Sequence, residues 1–336
     1  MPSEFSFIQR IRQRASQAVT NLTLGIGDDT AIWREQEDRE RLITTDLLIE
    51  NVHFKLDYTP LACLGHKTLA VSLSDIAAMG GQPEFALLSL GIPKSQISNP
   101  MWQDFFAGYF ALADQYGVTL IGGDTSSSPD LLVLDSIVIG SCVPGTAIRR
   151  SGAQAGDAIY VTGELGASAT GLELLLRGER YDEAANDLRQ AAIRAHLLPQ
   201  PRLAFAQRLG KLAHAMMDVS DGLAQDLAHI CEESNVDAVI DFDAVPIAKS
   251  VRLIRSTKED AFSLAVSGGE DYELLLTAPP ANDEALMCLA AECKLPLTRM
   301  GEIIARRTSQ PAPQLFLRTT NSVDLLTVTG YDHFRA

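Results

Sequence analysis

The chain has 336 residues and carries 28 Lys+Arg against 43 Asp+Glu, a formal net charge of −15. Its length suggests about two domains, and 46% hydrophobic with 21% charged residues is the composition of a folded chain rather than a disordered one. The negative charge speaks against a binder that works by neutralising nucleic-acid phosphates or by docking on anionic membranes, and no run approaches the roughly 18 apolar residues of a membrane span.

The opening stretch MPSEFSFIQRIRQRAS has no apolar core followed by a small-residue cleavage site, so no secretory leader is expected and the protein is read as cytoplasmic. In chain order, 42–46 (LITTD) reads as a strand. Leu64 to Met79 reads as a helix that stops at Gly80-Gly81. A buried strand is expected at 85–92, an amphipathic helix at Trp102 to Tyr116, and strands at 118–123 and 131–140. The Gly-, Pro- and Arg-rich segment 142–157 suggests a boundary, giving domains 1–146 and 147–336. Beyond it come a strand at 158–163, helices at about 167–177 and 181–197, a further helix, and then AMMDVSDG. A helix at 223–233 and strands at 238–242 and 272–278 follow, and 305–322 is polar, Pro-bearing and partly loop. The five cysteines are scattered without a CxxC and read as reduced thiols. The six dispersed histidines offer no zinc site.

The common nucleotide and nucleophile signatures are absent. Gly65-His66-Lys67-Thr68 echoes only the end of a phosphate-binding loop, no GxGxxG opens a helix after a strand, and no GxSxG occurs. What stands out is carboxylates at the ends of apolar runs, beside Gly, Ser and Thr. They are GIGDD (25–29), Asp46, Asp75, GGDT (122–125), DVSDG (218–222) and SGGED (267–271). Singly, each reads as a turn or cap residue. Asp75 is the hardest to dismiss, because it interrupts an otherwise apolar helix; it either takes a partner or metal, or lies on the solvated face. Together, hard oxygen ligands with adjacent glycines suit several Mg²⁺ ions and a polyphosphate, so the residues point to a metal-dependent enzyme acting on phosphates without a covalent nucleophile.

The same segments resemble the thiamine-monophosphate kinases of the aminoimidazole-ribonucleotide-synthetase superfamily. The resemblance is carried by GIGDDTA (25–31), TTD (44–46), NVHF (51–54), LAVSLSDIAAMG (69–80), LIGGDT (120–125), RSGAQAGD (150–157), YVTGELG (160–166), DVSDGL (218–223), SGGEDYEL (267–274) and GYDHF (330–334). It implies an ATP-dependent phosphorylation of thiamine monophosphate to thiamine diphosphate, the last step of thiamine diphosphate biosynthesis, by direct in-line transfer with several Mg²⁺ ions. The implied fold is α/β with mixed sheets in two domains. The N-terminal domain binds ATP and metal and pairs into a barrel across a homodimer, and the C-terminal domain completes an active-site cleft.

Carried onto this sequence, the implied metal ligands are Asp29, Thr44, Thr45, Asp46, Asp75, Asp124, Asp218 and Asp221. The family pattern favours Asp29 over its neighbour Asp28. Gly123, Asp124, Arg150 and Ser220 would contact ATP, with Arg149 beside Arg150 where the family carries one arginine. His53, Glu270 and Tyr331 would contact the acceptor: a ring can stack on a cationic heterocycle and a carboxylate can pair with it. No residue is assigned as a nucleophile, and neither nucleic acid nor membrane is expected as a partner. The alternatives are another ATP-dependent enzyme of the superfamily, or a non-catalytic module binding a nucleotide or divalent cation. Selenophosphate synthetase is disfavoured, because the first cysteine is Cys63 and none lies near the N-terminus.

Overall fold

A computed structural model describes residues 22–24, 32–33, 38–96, 102–307, 312–327 and 330. The chain forms two compact units, one of residues 1–76 and 81–145 and the other of residues 77–80 and 146–336.

In the first unit, strands β1 (Leu22–Leu24) and β2 (Ile32–Trp33) pair antiparallel. Then come β3 (Glu40–Ile49), α1 (Leu61–Ala78), β4 (Gln82–Pro93), α2 (Trp102–Tyr116), β5 (Thr119–Ser128) and β6 (Val133–Cys142). The last four strands make one sheet in the order β3-β6-β4-β5, antiparallel except where β4 and β5 run parallel. Leu64, Leu69, Leu73 and Ile76 of α1 are essentially solvent-free. Helices α1 and α2 touch backbone to backbone: a Cβ on Gly65 would sit 1.9 Å from the Phe105 carbonyl oxygen, and one on Gly108 would sit 1.8 Å from that of Ala62. Only glycine permits that approach. The GHKT echo lies inside α1, where Lys67 is 1% exposed, so it forms no phosphate loop.

One expectation in this unit changes. The strand read as ending at Gly123 continues to Ser128, because Gly122 to Ser128 stay in register with Leu87 to Pro93 of β4. Gly123-Asp124 is therefore strand, not a loop after one. Gly123 has φ +145, and a Cβ there would lie 1.9 Å from the Leu88 carbonyl oxygen.

The second unit runs β7 (Ala158–Thr162), α3 (Ala167–Leu176), α4 (Leu188–Leu197), α5 (Leu203–Leu209), β8 (Ala215–Asp218), α6 (Leu223–Ser234), β9 (Asp237–Asp241), α7 (Lys258–Ser267), β10 (Leu274–Ala278), α8 (Asp283–Glu292), β11 (Leu297–Ile304), β12 (Leu315–Arg318) and β13 (Val323–Leu325), with two short 3-10 turns. Its sheet is ordered β13-β12-β9-β11-β7-β10-β8 and is antiparallel except for the β12–β9 pair. All five residues of β7, an interior strand of this sheet, are buried. Ile159, Val161, Met217, Leu227, Ile240 and Leu275 belong to one core cluster.

Helix α4 starts seven residues later than its apolar pattern suggests. Asp187 caps it by accepting from the backbone N–H of Arg189 and Gln190, both at 2.9 Å. Upstream, Asp182 accepts from the Ala184 N–H, a local bond that competes with helix. Strand β10 begins at Leu274 rather than Tyr272, because Tyr272 has φ 50 and leaves the extended region. Sequence reading did not resolve α7, β11 or β13. The stretch 305–322 contains β12 within otherwise irregular chain.

Candidate active site

In the first unit, β3 sorts its residues by alternation. Thr44, Asp46 and Leu48 share one face, while Ile43, Thr45 and Leu47 share the other and are exposed. On the first face, the Thr44 hydroxyl donates to Asp75 of α1. Asp46 accepts from the Ser72 hydroxyl of α1 at 2.7 Å, and Ser72 also reaches the Ser136 carbonyl oxygen at 3.0 Å. Asp75 is thus on the buried side of the sheet–helix layer, not on a solvated helix face. The Asp46 carboxyl is pushed up to about 6, first by burial and then by the neighbouring Asp75 charge, against the Ser72 hydrogen bond that pulls it down.

On the other face, the Thr45 hydroxyl donates to Asp135 of β6 at 2.7 Å. Register continues that row: Asp135 lies opposite Ser89 of β4, and Ser89 lies opposite Asp124 of β5. Directly paired residues share a face. Asp124 therefore stands with Thr45 and Asp135, while Asp46, through Ser136 and Leu88, is in the row of Gly123. The residues expected to act together fall into two subsets on opposite faces of one sheet. Asp135 belongs to none of the motif segments, although a carboxylate inside LLVLDSIVIG is the same signal as Asp75 inside its helix. His53 follows β3 in a tight turn and its Nδ1 accepts from the Ile49 N–H at 3.0 Å, which leaves Nε2 to carry the ring proton.

In the second unit two loops are zipped together. The Val219 N–H donates to the Glu273 carbonyl (2.8 Å), Tyr272 N–H to the Val219 carbonyl (2.9 Å), and Glu270 N–H to the Ser220 carbonyl (2.7 Å). These bonds hold Glu270 and Tyr272 at φ 64 and 50, a left-handed backbone that non-glycine residues adopt at a cost. Asp218, 3% exposed, ends β8 opposite Leu274. Asp221 accepts from the Gln225 amide at 3.2 Å. Glu270 faces His196 Nδ1 at 3.2 Å, and the Ser168 hydroxyl lies 3.1 Å from the same nitrogen. Asp271 accepts from the Gly166 N–H (2.7 Å) and the Ser168 N–H (3.1 Å) at the start of α3, and burial raises its carboxyl to about 7. Glu273 takes a two-point contact from Arg202 (Nε at 2.7 Å) and the Thr162 hydroxyl at 2.6 Å. The sequence points to the SGGED segment, with Glu270 and Asp271, but gives no role to Asp271, Glu273, His196 or Arg202; those roles appear only once the chain is folded.

Arg149 and Arg150 are both exposed. Their carbonyls are anchored by the Met216 N–H (3.0 Å) and the Ser234 hydroxyl (3.2 Å). Asp28, Asp29 and Tyr331 lie outside the described residues. Gly330, immediately before Tyr331, packs on the DVSDG loop: a Cβ there would lie 2.4 Å from Gln225 Oε1 and 2.9 Å from the Asp221 carbonyl oxygen.

Among the described residues no three His, Cys, Asp or Glu side chains converge as a complete metal cage. The donor set is nevertheless all oxygen. Mg²⁺ takes one or two carboxylates and fills its octahedron with water and substrate phosphate. The crowding that raises Asp46 marks a charge excess that a divalent cation would relieve. The residues therefore fit Mg²⁺.

The family model for the AIR synthase related protein N-terminal domain matches residues 27–142, and that for the C-terminal domain matches 154–311. Thiamine-monophosphate kinase of Salmonella typhimurium is 39% identical over 98% of both chains. The crystal structure of thiamine-monophosphate kinase from Stenotrophomonas maltophilia K279a superposes with a TM-score of 0.82 at 40% identity, covering 93% of this chain and 96% of that one. The structure of AaThiL complexed with AMPPCP and TMP gives 0.73 at 30% identity, covering 98% and 97%. Likeness of this extent, in both halves and in order, places the chain in the AIR synthase related family, among its thiamine-monophosphate kinases.

Proposed function

We propose that the protein transfers the γ-phosphoryl group of ATP to the phosphate of thiamine monophosphate, giving thiamine diphosphate and ADP. The observation that carries this reading is the likeness to a thiamine-monophosphate kinase over 98% of both chains at 39% identity. In this reading Asp29, Thr44, Thr45, Asp46, Asp75, Asp124, Asp218 and Asp221 hold several Mg²⁺ ions. Gly123, Asp124, Arg150 and Ser220 bind ATP, and His53, Glu270 and Tyr331 bind the acceptor.

When bound, Mg²⁺ neutralises phosphate charge, so that two polyanions can approach in line. The chain's own residues align the reactants. Arg150 is an exposed cation on an anchored backbone, suited to pair with a phosphate. Glu270 is held by His196 and by its backbone bond to Ser220, and it supplies a fixed negative charge for a cationic heterocycle. The acceptor phosphate is itself the nucleophile and is already largely ionised near neutral pH, so alignment and charge stabilisation dominate over proton transfer.

The first unit is read as the dimerisation domain of a homodimer. Its edge strand β3 presents Ile43 and Leu47 at 70% and 50% exposure on one face, apolar side chains of the kind a second copy can cover. The protein is read as cytoplasmic; among the described residues no helix is long and apolar enough to cross a membrane, and all five cysteines are free. The deciding experiment incubates purified protein with ATP, Mg²⁺ and thiamine monophosphate and follows thiamine diphosphate by chromatography. ATP binding without product would sink the kinase and leave a nucleotide-binding module.

A further inference from the structure

Asp226 lies in the first turn of α6 and is 1% exposed. Its Oδ2 accepts from three consecutive backbone N–H groups, those of Ser220 (3.0 Å), Asp221 (3.2 Å) and Gly222 (3.1 Å). Its own N–H closes the helix turn onto the Gly222 carbonyl at 3.0 Å. The same turn is gripped from its other side, where the Ser220 carbonyl receives the Glu270 N–H and the Val219 carbonyl receives the Tyr272 N–H. Gly222 is at φ +117, and a Cβ there would lie 2.9 Å from the Ser267 carbonyl oxygen, so the turn has no slack on that side either. Three N–H groups on one carboxylate oxygen fix three successive peptide planes.

We propose that Asp226 is a positioning residue for the metal-dependent reaction, one that sets the Ser220–Gly222 turn and thereby aims the Asp218 and Asp221 carboxylates at the cation they share. It touches neither substrate nor metal in this role. The proposal rests on the functional reading above and adds to it a residue that the family motif does not single out. Partners that hold ligands in place typically change metal affinity by about 10- to 100-fold when removed. A residue that only supports the fold changes stability instead.

The test is Mn²⁺ binding, followed by electron paramagnetic resonance on the full chain without nucleotide. A matched control is Asp237→Asn. Asp237 is also a 1%-exposed carboxylate accepting two backbone N–H groups, from Arg307 at 3.0 Å and Gln314 at 2.8 Å, but it belongs to another part of the sheet. Asp226→Asn keeps the side-chain shape and replaces one carboxyl oxygen by an amide NH2, which cannot accept from the turn. It is expected to weaken Mn²⁺ binding about tenfold or more and to raise the Mg²⁺ concentration for half-maximal turnover in parallel. Asp237→Asn, at a comparable loss of thermal stability, is expected to bind as the parent does. Should Asp226→Asn not fold, Gly222→Ala displaces the same turn with the carboxylate intact and is expected to give the same loss. Parent-like Mn²⁺ affinity in a folded Asp226→Asn or Gly222→Ala variant overturns the positioning role alone. A parent protein that binds no Mn²⁺ removes the metal-dependent reading, and this inference with it.

Discussion

Replacing Asp46 by Asn separates what the fold wants from what the reaction wants. In the metal-free protein Asp46 titrates near 6 rather than its ordinary 3.8. At about 1.4 kcal/mol for each tenfold in the ionisation constant, that difference is roughly 3 kcal/mol of unfavourable charge in the folded state. Its sign follows from linkage: a carboxyl whose folded pKa is raised favours the fold when protonated. The penalty is therefore absent below about pH 4, grows between pH 4 and 6, and is complete above about pH 7. Asn carries no charge to repel Asp75, and its carbonyl can still accept the 2.7 Å hydrogen bond from Ser72. Part of the 3 kcal/mol already relaxes in solution, so Asp46→Asn is expected to be more stable than the parent by about 1–3 kcal/mol at pH 8 in EDTA. For a unit of this size that is a rise on the order of 2–12 °C in Tm. At pH 4 the two proteins should melt together. Addition of Mg²⁺ should stabilise the parent more than the variant, and turnover in the variant should fall roughly 10²-fold or more. Differential scanning calorimetry at the two pH values, with and without metal, reads all of this. A variant less stable than the parent at pH 8 in EDTA would refute the charge-crowding argument, and near-normal turnover would remove Asp46 from the ligand set.

Other outcomes follow from the same contacts. Divalent-cation binding should tighten as pH rises from 5 to 7 and should release protons at pH 6, seen as a buffer-dependent heat in titration calorimetry; heat independent of buffer ionisation would remove Asp46 as a protonated ligand. Glu273→Ala removes the carboxylate that Arg202 and the Thr162 hydroxyl share and is expected to cost about 2–4 kcal/mol in urea unfolding, below the fully buried limit because Arg202 is partly exposed; a loss under about 1 kcal/mol contradicts the network's structural role. Gly123→Ala forces a Cβ against the Leu88 carbonyl and should lower both stability and ATP affinity, and a variant with parental nucleotide binding would show that β4 and β5 separate freely there. Replacement of the exposed Cys288 by Ser should leave turnover intact, and loss of activity in a folded variant would reopen a thiol mechanism.

Much of the architecture could be read before folding, because the apolar runs are long and cleanly punctuated. Trp102 to Tyr116 reads as a helix because its aromatic positions recur at helical spacing and Gly117 stops it. The misreadings share a physical cause, namely local polar groups that override pattern. Asp187 caps α4 late, and Tyr272 is bent out of its strand by the bond from its N–H to the Val219 carbonyl. Gly123 stays in β5 because the register with β4 continues past the point where a glycine pair suggests a turn. The candidate site divides in the same way. Motif residues such as Asp46, Asp75, Asp218 and Glu270 are visible because carboxylates interrupt apolar chain. Asp135 carries the same signal inside LLVLDSIVIG, whereas Ser72, Asp226 and Arg202 are visible only through the folded partners that they hold.

That division explains why a chain with a net charge of −15 can act on two polyanions. A surface of scattered carboxylates keeps a protein soluble and repels phosphate. Carboxylates pressed against one another repel each other first, and a divalent cation relieves both conflicts at once. The clearest local sign is the Asp46–Asp75 pair, where burial and like charge raise a carboxyl that hydrogen bonding alone would lower. The DVSDG loop resolves the same conflict differently. There Asp226, itself pushed up to about 8 by burial and by Asp218 and Asp221, is held by three backbone N–H groups. Neutral substitutions at these carboxylates should therefore divide by what each group holds. Asp46→Asn should gain stability and lose turnover, whereas Asp226→Asn trades relief of repulsion against weakened bonds to three N–H groups and should change stability far less than it changes metal affinity. If both variants shifted stability and metal affinity in the same proportion, the two carboxylates would be serving one structural purpose and the distinction between ligand and support would fall.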